Sequence, residues 1–261
     1  MKQAIKLALV AIVGMTMMSC MSFNRYSDNG KDDTPSLVTE INKVTTMQPF
    51  DQVEIGGAFK IVYEQGTDHN VRVEASEQAL KEMTVYVKEG ELRIRKAVAK
   101  PTEQQSKVKV YVTSPDLKKI GLAGSGMFAA SNPISTGNDL NVEIAGSGQV
   151  LLAAAACHDT KLEIAGSGDI EIGVLTADNA KAEIAGSGDI NLGKVTCKAL
   201  TAEIAGSGNV NCENIKADKA HADIAGSGDV NLKGSVQNIT KNIAGSGKVN
   251  LVEAKPTDSI K

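Results

Sequence analysis

The chain has 261 residues, a formal net charge of −3, 42% hydrophobic residues, 25 Gly and only 3% aromatics with no Trp. The near-neutral balance gives no electrostatic case for a nucleic-acid partner. So few rings argue against a core built on large aromatics and favour a narrow core of stacked Ile, Val, Leu and Ala.

Lys2 and Lys6 flank the start of an apolar run, Leu7 to Met18, the size of a signal-peptide core and too short to span a bilayer. The run ends in Met17-Met18-Ser19-Cys20, which resembles a bacterial lipobox with Met17 where Leu is usual. Residues 1–19 then read as a lipoprotein signal peptide and Cys20 as the lipidated mature N-terminus. Buried acyl methylenes, at ~0.8 kcal/mol each, would anchor the chain to a membrane. A plain secretory signal with a chance Cys is the weaker alternative. Residues 20–46 are polar, with Asp28, Lys31, Asp32, Asp33 and Pro35, and read as a flexible tether.

From residue 47 to 122, short segments alternate apolar and polar residues: Val53-Glu54-Ile55, Phe59 to Tyr63, Val71-Arg72-Val73, Val85-Tyr86-Val87, Leu92-Arg93-Ile94 and Val108 to Val112. Polar or Gly-containing turns separate them, as expected of β-strands. Glu77 to Lys81 reads as a single helical turn. The segment predicts irregular first coils that cap a longer array, because an exposed strand edge invites pairing with another chain.

That array occupies residues 123–252. Ala-Gly-Ser-Gly occurs seven times, starting at Ala123, Ala145, Ala165, Ala185, Ala205, Ala225 and Ala244, in steps of 22, 20, 20, 20, 20 and 19 residues. A constant period of this size marks a solenoid, whose repeats bury their apolar faces by stacking. In the turn from Lys181 to Gly193, Ala182 and Ile184 alternate with polar residues before the Gly-Ser-Gly, and Ile190 and Leu192 after it. Val195, Cys197 and Leu200 supply a third segment. Three strands and three corners in about 20 residues predict an all-β parallel β-helix. Ile144, Ile164, Ile184, Ile204, Ile224 and Ile243 would form one interior stack. Val150, Ile170, Ile190, Val210, Val230 and Val249 would form another. Glycine would permit the corner backbone, and the serines between them suggest a side-chain ladder. Glu253, Lys255 and Pro256 mark the end of strand addition, and residues 253–261 read as a tail.

Cys157 and Cys197 fall in one column two turns apart, at twice the ~4.8 Å strand spacing, beyond disulfide reach. Cys212 takes a column that elsewhere holds Ile172, Leu192 and Leu232. All three read as small buried hydrophobes.

Six fragments in order carry a family resemblance: Pro49 to Ile55, Val62 to Gly66, Val71 to Ala75, Glu91 to Ile94, Ser114-Pro115-Asp116-Leu117 and the Gly-Ser-Gly series. Over residues 47 to 252 the chain resembles the lipoproteins grouped as the "putative auto-transporter adhesin, head GIN domain" family, a domain of unknown function. The resemblance implies an exported, mostly β, solenoid-like protein with a suggested adhesion role. The literal Gly-Ile-Asn is lacking; the nearest string is Gly188-Asp189-Ile190-Asn191.

Two outward columns carry carboxylates: Glu143, Glu163, Glu183, Glu203 and Asp223, and Asp169, Asp189 and Asp229 with Gln149 and Asn209 interleaved. Rows of oxygen ligands suit Ca²⁺, but Gly-Ser-Gly-Asp differs from the calcium β-roll nonapeptide. A solvated polar face relieved by Lys161, Lys181 and Lys241 is the preferred reading, with no metal ligand or cofactor assigned. His69, His158 and His221 are scattered, and the regular coils have no Arg beyond Arg95 and no aromatic beyond Phe128. Near-identical turns offer no unique catalytic cluster, so no catalytic residue is assigned and the chain reads as a non-enzyme. The expected role is adhesion or interaction at the cell envelope, as an outer-membrane lipoprotein, with a surface glycan or protein as partner. A structural envelope scaffold is the alternative, and a polysaccharide-active β-helix enzyme is less favoured.

Overall fold

Alternation of inward and outward side chains sets the course of every coil. The computed structural model of the chain describes residues 44–97 and 108–253. The expected signal peptide (1–19), Cys20, most of the expected tether and residues 254–261 lie outside the described residues. Within them are nineteen strands and one short helix, forming a β-solenoid of about seven turns.

One strand, β16 (Asp189–Gly206), traces nearly a whole coil. Ile190 and Leu192 are buried, then Gly193 and Lys194 both face outward. Val195 and Cys197 are buried, and Lys198 and Ala199 break the alternation again. Leu200, Ala202 and Ile204 are buried ahead of the Gly206-Ser207-Gly208 corner. Each break in the two-residue period turns the chain and starts a new side.

Parallel pairing then puts equivalent residues opposite one another. Thus β13 (Asp159–Gly166) pairs with β15 (Asn179–Gly186), which pairs with the second half of β16. Next come β17 (Val210–Gly226) and β18 (Val230–Gly245). The two interior stacks follow this register: Ile144, Ile164, Ile184, Ile204 and Ile224 are each 2% exposed, and Val150, Ile170, Ile190, Val210 and Val230 are buried as deeply. Burial of each such side chain contributes about 1.5–3 kcal/mol.

The corner requires glycine. Gly206 has φ +141°, and a Cβ there would lie 2.1 Å from the carbonyl oxygen of Gly186 in the coil before. That carbonyl accepts hydrogen bonds from the backbone N–H of Ser207 at 2.9 Å and of Gly208 at 3.2 Å. The ladder at this corner is therefore made by backbone groups, and the serine side chains are exposed rather than laddered. A close-packed backbone leaves its hydrogen bonds no competitor, so the hydroxyls stay with solvent.

The first strands are stacked out of sequence order. β2 (Gln52–Gly56) lies between β6 (Glu91–Lys96) and β8 (Lys119–Gly124), parallel to both. β3 (Lys60–Gln65) likewise lies between β7 (Lys109–Ser114) and β9 (Met127–Ala130). Beyond them the direction reverses: β5 (Met83–Lys88) pairs antiparallel with β6, β4 (Asn70–Glu74) with β7, and β1 (Val44–Thr46) with β4. α1 (Glu77–Lys81) connects β4 to β5, with Ser76 Oγ accepting from the N–H of Ala79 at 3.1 Å as N-cap. The aromatics collect here: Phe59, Tyr63 and Phe128 are almost fully buried, and the Tyr63 and Phe128 rings stack at 5.7 Å.

At the other end the last coil is one residue shorter, which shifts the register between Cys212 and Ile215. Gly234 absorbs the shortened corner with φ +134°. The same shift corrects the placement of Lys241. It does not join Lys161 and Lys181 but lies opposite Ala222, in the inward column of Ala182 and Ala202. Around it Ile239 and Ile243 are 38% and 40% exposed. Glu253 is still part of a strand, β19 (Val249–Glu253), opposite Gly234.

Candidate functional site

The outer face formed by the strands that lead into each Gly-Ser-Gly corner is a charged ladder. Lys161 Nζ lies 2.7 Å from Glu163 and 2.9 Å from Glu183. Lys181 Nζ lies 2.5 Å from Glu183 and 3.1 Å from Glu203. Each lysine thus bridges two coils, and Glu183 sits between two lysines with its side chain only 5% exposed. Burial works to raise the Glu183 carboxyl, but the two ammonium groups hold it down to about 2. Burial raises Glu163 above its usual value; Lys161 opposes this and the Glu183 carboxylate adds to it. The Lys161 contact to Glu183 Oε2 is an ion pair only, for no aligned hydrogen bond reaches that buried oxygen.

The same columns extend to both sides. Lys119 pairs with Glu143 at 2.8 Å. Gly121 takes the acidic position in its coil, and its missing side chain makes room for the Glu54 carboxylate from the neighbouring strand. Burial raises the Glu54 carboxyl. Further on, His221 replaces lysine and contacts Asp223 at 3.0 Å, and Asn242 donates to Asp223 at 2.7 Å.

The next face carries neutral ladders. Asn211 donates to Asn191, Asn231 to Asn211 and Asn250 to Asn231, each at 2.8 Å. In the second carboxylate column Asn209 donates its side chain and its backbone N–H to Asp189, at 2.9 and 2.8 Å. Asp229 and Lys248 continue the series through backbone N–H groups. The carboxylate oxygens are thus occupied by N–H donors and lysines, which is how a row of like charges is held at strand spacing.

A shallow groove of about 410 Å³ runs beside the charged ladder, lined by Asp139, Asp159, Asn179, Asn141, Lys161 and Lys181 among others. At its rim the structure brings together three residues that the sequence reading left apart, Asp139, His158 and Asp159. Their signal was available: the 20-residue period places 139, 159 and 179 in one column and 158, 178 and 198 in the next. His69 instead packs edge-on against Phe50. Cys157, Cys197 and Cys212 are free thiols, and burial pushes them up to about 11, 11 and 12, so none is a reactive thiolate.

The family model for the "putative auto-transporter adhesin, head GIN domain" matches residues 49–213 and again residues 195–256. The chain belongs to this family. The two matches overlap because any regular coil aligns with another. Solved structures share the fold. A "putative adhesin" from Bacteroides fragilis superposes with a TM-score of 0.73 at 24% identity, over 83% of this chain and 97% of that one. A "putative adhesin" from Parabacteroides distasonis gives 0.68 at 21%, over 85% and 98%. A "putative lipid binding protein" from the same species gives 0.63 at 24%, over 85% and 98%. No match is found among curated proteins. Among the described residues no helix is long and apolar enough to cross a membrane.

Proposed function

We propose that this family member is an exported, lipid-anchored β-solenoid of the cell envelope with a non-catalytic adhesion or interaction role. The observation that carries the reading is the set of polar columns held in register from coil to coil, from Glu143 to Asp223 and from Asn191 to Asn250. A surface that repeats along one axis complements a partner that also repeats, such as a glycan chain or a fibrous protein, and gains affinity by multiple weak contacts. Lys161 and Lys181, each 40% exposed, and the neighbouring groove offer the donors and acceptors for such contacts. The lipid anchor at Cys20 places this rod at the outer membrane.

Two measurements test the reading. Cells lacking the protein should attach less well to a glycan-coated or host-matrix surface, and wild-type protein should restore attachment while a Lys161→Ala/Lys181→Ala variant restores it poorly. Unchanged attachment without the protein overturns the adhesion role. Cys20→Ser should release the protein from the membrane fraction, and persistence there overturns the lipid anchor.

A further inference from the structure

At the corner where the third side of the coil turns into the charged face, His158 Nδ1 lies 3.3 Å from Asp139 Oδ1 and 3.6 Å from Asp159 Oδ1. All three ligand atoms lie within 4.8 Å of one another. Bonds of about 2.0–2.2 Å to a tetrahedral ion put ligand atoms ~3.3–3.6 Å apart. The apposition is thus already that of two edges of such a coordination shell.

The other ring nitrogen has a partner of a different kind. His158 Nε2 faces Asp178 Oδ2 at 3.5 Å, and Asp178 is fixed in turn by Lys198 at 2.9 Å, which also holds its carboxyl below the usual range. A carboxylate behind a ligating imidazole orients the ring and strengthens it as a donor. The two first carboxylates are oriented as well: Asp139 Oδ1 accepts from the N–H of Asp159 at 3.2 Å, and Asp159 Oδ1 from the Asn179 side chain at 2.8 Å. Both aspartates line the groove.

We propose that Asp139, His158 and Asp159 form a site for one divalent transition-metal ion of the Zn²⁺ class at the rim of the groove. An imidazole beside two carboxylates selects Zn²⁺ or its neighbours over Ca²⁺ and Mg²⁺, which prefer all-oxygen shells. Three protein ligands leave a fourth position for water or for a donor atom of a molecule lying in the groove. Asp178 acts as a positioning residue. The site is independent of the adhesion reading, since it rests on local geometry alone.

The test is titration of the purified full chain with Zn²⁺ by calorimetry, with circular dichroism to verify the fold of each variant. One saturable equivalent is expected, together with a rise in unfolding temperature on loading. His158→Ala and Asp139→Asn should each abolish it. All of these side chains are at least 40% exposed, so the variants keep the fold. Asp178→Asn should weaken binding about 10–100-fold without removing it. His221→Ala, at the other His–Asp contact, should bind like the parent. Absence of saturable binding, its survival in His158→Ala or its loss in His221→Ala overturns the site. Displacement of Zn²⁺ by an equal concentration of Ca²⁺ overturns the metal class.

Discussion

The strands up to β9 and the coils after them each bury one apolar face but end differently. The first region packs Phe59, Tyr63 and Phe128 and reverses strand direction at β5, β4 and β1, so its outermost ladders are antiparallel. The later coils stack small aliphatic residues in one direction only, and the last of them leaves Ile239 and Ile243 partly exposed with Lys241 between them in the inward column. A repeat contains no instruction to stop. One end of this rod carries reversed strands, and the other places Lys241, itself exposed, in the core-facing column, where a charge is a known protection of strand edges.

The largest effect should come from the aromatic region. Phe128→Ala removes a ring that is 0% exposed and stacked on Tyr63, and should cost about 3–5 kcal/mol in urea unfolding. A cost below that of an Ile-to-Val change in the coils would dissolve the distinction between the two cores.

Gly206→Ala tests the coils themselves. The new Cβ meets backbone 2.1 Å away at a φ only glycine tolerates, so a loss of about 2–4 kcal/mol is expected. Gly137→Ala, with nothing within 4 Å of the new atom, should stay within about 0.5 kcal/mol of the parent. Equal effects at the two positions would show that the corner is not the constraint.

Glu183→Gln should cost about 1–3 kcal/mol at neutral pH by removing the charged partner of two lysines. The Glu183 carboxyl lies at about 2 in the folded chain, below its ordinary 4.5, so its stabilisation is present above pH 4.5 and is lost as pH falls toward 2. Glu163 is shifted the other way and partly offsets this. Stability curves of parent and variant measured against pH should therefore converge in acid; parallel curves would refute the ladder's role.

Lys241→Ala restores the alanine of its column and should change stability least. Its readout is association: sedimentation should show larger species growing with concentration, where the parent does not. A variant that sediments like the parent would mean that Lys241 does not guard the end.

The periodic part of this fold was legible because each column repeats its residue type. The Ile and Val stacks and the position of Cys212 follow from counting by twenty. Lys241 was misplaced because the final step is 19, and the one-residue deletion moves a side chain to the opposite face. The serine ladder failed because backbone N–H groups satisfy the corner carbonyls. The cluster at His158 is legible from the period but not from alternation, because adjacent columns meet there at a corner, where alternation says nothing about neighbours. Nor can alternation tell which strand lies beside which, so the placement of β2 and β3 between later strands could not be read.

That placement has a consequence for how the chain is made. β2 and β3 leave the ribosome before both of their neighbours, yet each must offer one edge to β6 or β7 and the other to β8 or β9. We expect them to serve as a two-sided template, with growth outward in both directions from residues 52–65 preceding registration of the long array. Pulse-labelled hydrogen exchange should find the amides of Ile55 and Ile61 protected before those of Ile224, and the reverse order would place the seed in the repeats.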